Sequence, residues 1–427
     1  MTLTRSLGQA APLALALAII AIALTQNGDH LSAALSLSWI VLGIANHALA
    51  QPQPGTASRV WPFAVVVLLL LNLRGVVLEE GPRPVSHMDY VLLISAVLAG
   101  QGQKRAFWRT NLSIICLAIA SCGLWQAAAV WQHLFEKEFG FRFGGLLINQ
   151  TAMLAGLGCV CGLAALQLWR EALPATTSGT KDTQSVTSIG IQLSLGIAIL
   201  GCAVVTFATH SRAGIGLIPL SVLSSWGLQQ GARHYSRLRH WLRKHILKLV
   251  LAIFLIAGTP FLFLASPQGP TLQKTMVNLY GSENRVSDQG RLNLWHCYTS
   301  LPFTGNNRFL YGVGYGRARE VCQISLPNMT KPLSHAHNLP LQIWAEAGTL
   351  PMLLLLVGGF QLGRRILRQQ DQPHAMALSA PLIYGVLFNL VELGMLKVPL
   401  LTALFGYLLS GPLTSTGFRP PIGDNRS

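Results

Sequence analysis

The amino-acid sequence predicts an all-α polytopic membrane protein of about twelve transmembrane helices, with one large external loop containing short helices. Three observations carry this. Only 11% of the 427 residues are charged while 51% are hydrophobic, and soluble domains carry about 25% charged residues, so an ordinary soluble domain is excluded. Apolar runs able to approach a hydrocarbon core of about 30 Å lie near residues 10–25, 31–50, 61–79, 88–100, 110–131, 149–169, 188–208, 213–229, 246–265, 340–363, 374–391 and 396–412. Alternate connections between these runs are rich in cations. The formal charge of +16 would suggest nucleic acid in a soluble protein, but here much of the excess sits in short loops, where it sets orientation.

The first run follows Arg5 and can be read as a signal-peptide core, but a second run follows within a few residues and favours a retained helix. Gln101 to Arg109 holds Lys104, Arg105 and Arg109. Gln229 to Lys248 holds Arg233, Arg237, Arg239, Arg243, Lys244 and Lys248, and Gly363 to His374 holds Arg364, Arg365 and Arg368. All three fall on one side if both termini are cytoplasmic, whereas the opposite connections carry Glu79 and Glu80, or Glu136 and Glu138. Residues 1–265 then comprise spans one to nine, 266–338 the large external loop, 339–412 spans ten to twelve, and 413–427 a cytoplasmic tail. The loop is basic, but long loops translocate largely regardless of charge. Its glycines and prolines favour short helices and turns over a separate large-cored domain, and ordered loops of this length are usually functional. Cys116, Cys122, Cys159, Cys161 and Cys202 lie in apolar runs and read as packing residues. Cys297 and Cys322 share the loop and can form a disulfide if it faces an oxidising compartment.

Four polar constellations are candidates for chemistry. Thr209, His210, Ser211 and Arg212 separate two apolar runs with almost no loop. The guanidinium either snorkels at a tight hairpin or binds an anion at the outer leaflet, and its place on the wrong side for a topology signal favours the anion. Gln289-Gly290-Arg291, with Trp295 and His296, offers a planar guanidinium suited to bidentate phosphate contacts. Arg285, Arg308, Arg317 and Arg319 compete for that role. Tyr-Gly-Val-Gly-Tyr-Gly at 311–316 lacks the strand–helix context and Gly-Lys-Ser/Thr ending of a nucleotide loop, so a turn positioning Tyr311 and Tyr315 is expected.

The fourth constellation is Ser-His-Ala-His-Asn at 334–338. An imidazole can accept a proton near neutral pH, which makes His337 and His335 candidate acid–base groups. Asn338 can cap the following helix, and Pro340 suits its first turn. The alternatives are a hydrogen-bonded interfacial histidine or a metal ligand. No metal-ligand spacing accompanies the pair, so neither metal nor other cofactor is expected. Leu339, Leu341, Ile343 and Trp344 read as packing. Glu346 reads as a partner of the site or as part of the helix turn ending at Gly348.

The Ser211-Arg212 pair, the Gly290-Arg291 pair, and His337-Asn338 followed by Leu341-Gln342, Glu346 and Gly348 resemble the O-antigen ligase and O-antigen polymerase superfamily. So does the layout, with its large external loop after the ninth span. The resemblance implies a C-type glycosyltransferase-like fold in the bacterial inner membrane, multi-pass, with its active face periplasmic. It implies inverting, metal-independent transfer of a glycan from undecaprenyl pyrophosphate to lipid A–core, or to a growing glycan in a polymerase. Partners would be these lipid-linked substrates and membrane lipids, with no nucleic acid. Arg212 and Arg291 would hold the pyrophosphate and His337 would serve the acceptor hydroxyl. His335, Asn338, Ser211, Tyr311 and Tyr315 would contact substrate. Pro351 departs from the family pattern and suggests a kink. A different class, a flippase or exporter of lipid-linked glycans, would use Arg74 after Asn72. Transporters usually show repeated halves and broken helices near the midplane, whereas this chain concentrates polarity in one loop.

Overall fold

The computed structural model describes residues 2–24, 29–50, 85–100, 103, 105–130, 141–144, 146–172, 182–233, 285–305, 308–314, 316–323, 335–353, 356–357, 359–360, 363, 373–392 and 398–414. The runs 61–79 and 246–265, with Arg74, and the tail from 415 lie outside them. The helices, in chain order, are α1 (Thr2–Leu24), α2 (Asp29–Ala50), α3 (Val85–Gly100), α4 (Arg105–Ala129), α5 (Ile148–Ala172), α6 (Asp182–Ala208), α7 (Arg212–Arg233), α8 (Arg285–Ser300), α9 (Arg308–Tyr311), α10 (Ala318–Val321), α11 (Leu339–Ala347), α12 (Pro373–Val391) and α13 (Pro399–Thr414). A 3-10 turn, Leu301–Phe303, follows α8, and no strand occurs among the described residues. Helices are what hydrocarbon demands, since every backbone N–H and C=O must be satisfied within the segment.

Among the described residues, Arg5–Leu24, Ala106–Ala129, Ile148–Ala172 and Ile189–Ala208 are long and apolar enough to cross a membrane, and His30–Asn46, Leu378–Val391 and Pro399–Ser410 are shorter apolar helices. The protein is therefore a helical membrane protein. These helices do not by themselves account for the twelve spans expected from the sequence.

The chain divides into two compact units. The first contains α1–α6, nearly all of α7, α12 and α13. Its most buried helix is α5, which packs against α4, α6 and α12. Small residues allow this: a side chain at Gly156 would strike Tyr384, and one at Gly162 would strike Cys116 at 2.5 Å, the close approach expected of membrane helices. Tyr384 donates its hydroxyl hydrogen to Ala152 O at 3.2 Å. Toward the other end of α4, Tyr407 stacks on Trp108 with centroids 4.1 Å apart and accepts from Asn111 Nδ2 at 3.1 Å.

Hydrogen bonds gather several helix ends at one end of this unit. Phe141 N–H donates to Ala208 O at 3.1 Å, Phe143 N–H to Thr151 Oγ1 at 2.9 Å, and Gly144 N–H to Gln126 Oε1 at 3.0 Å. Gln126 in turn donates to Ala23 O. The C-terminal ends of α1, α4 and α6 therefore lie together with the N-terminal ends of α5 and α7.

The second unit contains α8–α11. Leu294, Tyr298, Leu301, Val313, Ala318, Ala336, Leu341 and Ala345 form its small core. Cys297 and Cys322 are joined as a disulfide across that core, with Cα atoms 5.8 Å apart.

The apolar run 340–363 corrects an expectation: it is not one helix, because α11 stops at Gly348, whose φ of 90° and ψ of −176° are not helical. The cause is competition for carbonyls. Ala345 O accepts from Val313 N–H at 2.9 Å and Glu346 O from Gly314 N–H at 3.0 Å; in a continuing helix both would serve residues four positions on. Helix resumes at 349–353. Pro351 then falls within the first turn of the new helix, where its missing N–H has no partner to lose. The break belongs to Gly348 and not to a proline kink. At nine residues α11 is about 14 Å long, far short of a span.

Candidate active site

In the second unit, Asn338 occupies the N-cap of α11 with φ −154° and ψ 110°, and its Oδ1 accepts from Leu341 N–H at 2.9 Å. Pro340 follows in the first turn, so the expected cap is present. His337, just before the cap, has φ 49°. This left-handed conformation costs an ordinary residue roughly 1–2 kcal/mol, so the surroundings must hold it. They do so through Ala336, which is fully buried. Its N–H donates to Gln342 Oε1 at 3.2 Å, and its C=O accepts from Trp295 Nε1 at 2.5 Å. Because Ala336 lies between His335 and His337, the peptide groups flanking it on both sides are fixed.

Trp295 stands on α8 one turn after Arg291, and residues four apart share a helix face. The half-buried Arg291 therefore lies on the same face of α8 as Trp295, about 6 Å from it along the helix axis. The histidine segment is thus tied to α8 through Trp295 and to α11 through Gln342 and the Asn338 cap.

Beneath the histidines lies a buried carboxyl. Gln342 Nε2 donates to Glu346 Oε1 at 2.5 Å, and both residues are 4% exposed. Burial pushes the Glu346 carboxyl up to about 7, partly opposed by the Gly316 N–H, the Gln342 amide and the Arg319 charge. Burial also raises Tyr298, with Glu346 adding to the effect and Gln342 and Arg319 opposing it. The glycine segment explains this enclosure. Gly312, Gly314 and Gly316 have φ of 70°, 97° and 77°, so the chain wraps over the C-terminus of α11, capping its carbonyls and turning a backbone N–H to the Glu346 carboxyl. A side chain at Gly312 would meet the Glu346 backbone. The segment is a turn, as expected, but its partner is a helix end. Tyr311 is exposed, and Tyr315 lies outside the described residues.

In the first unit, His210 has φ 53° just beyond the last turn of α6, where helices commonly end left-handed. Thr209 Oγ1 accepts from Ser211 N–H at 3.3 Å, and Ser211 Oγ accepts from Gly214 N–H at 3.2 Å, an N-cap for α7. The Ser211 hydroxyl is thus engaged in capping, while Arg212, the first residue of α7, is exposed. Gly214 lets α7 close onto Ala152 of α5, which fixes the base on which Arg212 stands. Arg142 is exposed between the buried Phe141 and Phe143 at this same end. Sequence reasoning passed over it; the Phe-Arg-Phe alternation within a polar connection was the available signal.

The described residues thus form a helical membrane protein, with a capped turn that presents Arg212 at one end of its first unit and, in its second unit, a disulfide and a histidine segment anchored to two helices. Residues 197–356 match the family model described as O-antigen ligase. The matched region contains Arg212, Arg291, His337 and Glu346. It supports ligase- or polymerase-like function in general, on lipid-linked glycan and acceptor substrates in general. No curated protein matches the chain.

Proposed function

We propose that the protein transfers a glycan from undecaprenyl pyrophosphate to an acceptor hydroxyl on the periplasmic face, as in O-antigen ligation to lipid A–core. The observation that carries this reading is that one family match spans both arginines and the histidine, with His337 held rigidly at a helix entrance. The acceptor oxygen attacks the anomeric carbon from the face opposite the pyrophosphate. The new glycosidic bond forms as the carbon–oxygen bond to phosphate breaks, so the anomeric configuration inverts and undecaprenyl pyrophosphate leaves with the electron pair. His337 takes the acceptor proton. Arg212 and Arg291 stabilise the negative charge that grows on the departing pyrophosphate, the step at which fixed cations contribute most, and bidentate guanidinium contacts suit its oxygens. His335, Asn338, Ser211, Tyr311 and Tyr315 complete the substrate contacts. The Cys297–Cys322 disulfide supports an oxidising, periplasmic setting for this unit, since such bonds persist there and not in the cytosol.

The test is transfer by the purified protein from undecaprenyl-pyrophosphate glycan, with lipid A–core and free glycan chains offered as separate acceptors. Inverted product on lipid A–core is expected. Elongation of glycan alone would reassign the protein as a polymerase, and no transfer to any acceptor would sink the reading.

A further inference from the structure

We propose that Gln342 and Glu346 are positioning residues for His337, clamping the histidine segment to α11 through the backbone of Ala336. This rests on the glycan-transfer reading above. The Ala336 N–H can be satisfied only by an acceptor, so Gln342 must present its oxygen there. The amide nitrogen on the other side of Gln342 then needs an acceptor of its own, and Glu346, one turn further along α11, supplies it at 2.5 Å. Glu346 is held in turn by the Gly316 N–H and by the charge of Arg319. A relay of hydrogen bonds thus runs from the glycine turn through Glu346 and Gln342 to Ala336 N–H, while Trp295 secures the Ala336 carbonyl from α8. With both peptide groups around Ala336 fixed, the next residue is held left-handed at φ 49°. Ala336, Gln342 and Glu346 are buried, and buried polar networks that are fully satisfied specify one arrangement. Proton transfer needs heavy atoms within about 2.6–3.2 Å, and displacement of a reacting group by about 1 Å can cost roughly 10²-fold in rate. Neither Gln342 nor Glu346 need touch substrate to control that placement.

The relay makes an exchange experiment possible. In Gln342→Glu two carboxyl groups face each other across the contact. In the double variant Gln342→Glu/Glu346→Gln the pattern is restored in reverse. The carboxylate introduced at position 342 need only accept, and its oxygens take the Ala336 N–H and the amide introduced at position 346. That amide's own oxygen accepts from Gly316 N–H. Transfer kinetics should show kcat falling about 10²-fold in Gln342→Glu with donor KM little changed, and recovery of most of that loss in the exchange variant. Hydrogen exchange at residues 336–338, read by mass spectrometry on the full chain, should accelerate in the single variant and return to native protection in the double. Trp295→Phe, which keeps a ring but removes the indole N–H, should give an intermediate loss if Gln342→Glu proves unfolded. An unchanged kcat in folded Gln342→Glu, or an exchange variant no better than the single, overturns the clamp. Hydrogen exchange needs no turnover, so a native protein inactive toward every acceptor would defeat the transfer reading while the protection pattern still decides the clamp.

Discussion

His337 and His210 share a backbone conformation that residues with side chains rarely adopt, with φ of 49° and 53°. At His210 a helix end accounts for it. At His337 the chain is bent immediately before an N-cap, beside loop backbone that is tied to both α8 and α11. His337→Ala should lower transfer by roughly 10²–10⁴, the usual contribution of a general base, and His335→Ala should cost less. His337→Gly should be equally inactive yet about 1 kcal/mol more stable than His337→Ala, since glycine tolerates the left-handed region; equal melting temperatures would argue against strain at this position. Lysine in place of Arg212 or Arg291 loses the planar fork and should leave transfer down about 10-fold or more, with alanine costing about 10²–10³-fold. Near-native rates for either alanine variant would remove that arginine from pyrophosphate binding. Glu346 gives a pH signature. Its folded value near 7 lies above the ordinary value of 4.5, so the folded state holds the proton more tightly than the unfolded chain. Its stabilising contribution is complete below about pH 4.5 and is lost as pH rises through 7. At about 1.4 kcal/mol per pH unit this withholds about 3 kcal/mol at pH 8. Thermal unfolding of Glu346→Gln should therefore lack this decline, gaining on the native protein between pH 5 and pH 8. A gap between the two that does not change with pH would contradict the buried carboxyl.

At the scale of elements, the sequence announced what periodicity and local chemistry encode. Apolar runs marked most helix positions in the first unit to within a few residues, and Asn338 with Pro340 marked the start of α11 because capping is a local rule. The end of α11 was hidden. The run 340–363 stays apolar through Gly348, and the competitor for its carbonyls is the Val313–Gly314 backbone, which must satisfy its own N–H groups and lies some thirty residues away in sequence. The same distance concealed the purpose of the 311–316 glycines and the enclosure of Glu346, which read as a partner of the site or as part of the helix turn ending at Gly348. Gly312→Ala and Gly348→Ala test the docking. Each has positive φ and each would drive a new methyl into backbone, so each should destabilise the second unit by several kcal/mol, whereas Gly196→Ala in α6, with nothing within 4 Å of the new carbon, should be neutral. Removing the disulfide with Cys297→Ser and Cys322→Ser frees a sequence separation of 25 and should cost about 3–4 kcal/mol. Denaturant unfolding checks all of these, and a stable Gly312→Ala protein would refute the capping role of the turn.

For the whole molecule, charge asymmetry between loops predicted orientation, and the first unit supplies an independent geometric constraint. Gln126, Phe141, Gly144 and Ala208 are linked by hydrogen bonds at one end, so Arg142 and Arg212 must face the same side of the membrane whichever side that is. Ala106 lies in the first turn of α4, and Gln126 is twenty residues later on the same helix, about 30 Å away, enough to cross the hydrocarbon. Arg109, near that opposite end, lies 3.7 Å from the Trp169 ring centre, where a cation gains from the aromatic face. Single cysteines at Arg142 and Ala106, both exposed, therefore report opposite faces. In intact cells a membrane-impermeant maleimide should label Arg142→Cys and spare Ala106→Cys, while permeabilised cells should yield both. The disulfide-bonded Cys297 and Cys322 cannot react, and Cys116, Cys159, Cys161 and Cys202 are buried, so the background should be low; replacing the half-exposed Cys122 with serine removes the remaining source. Labelling of Ala106→Cys alone would invert the orientation, put Arg212 in the cytoplasm, and overturn the periplasmic role proposed for it.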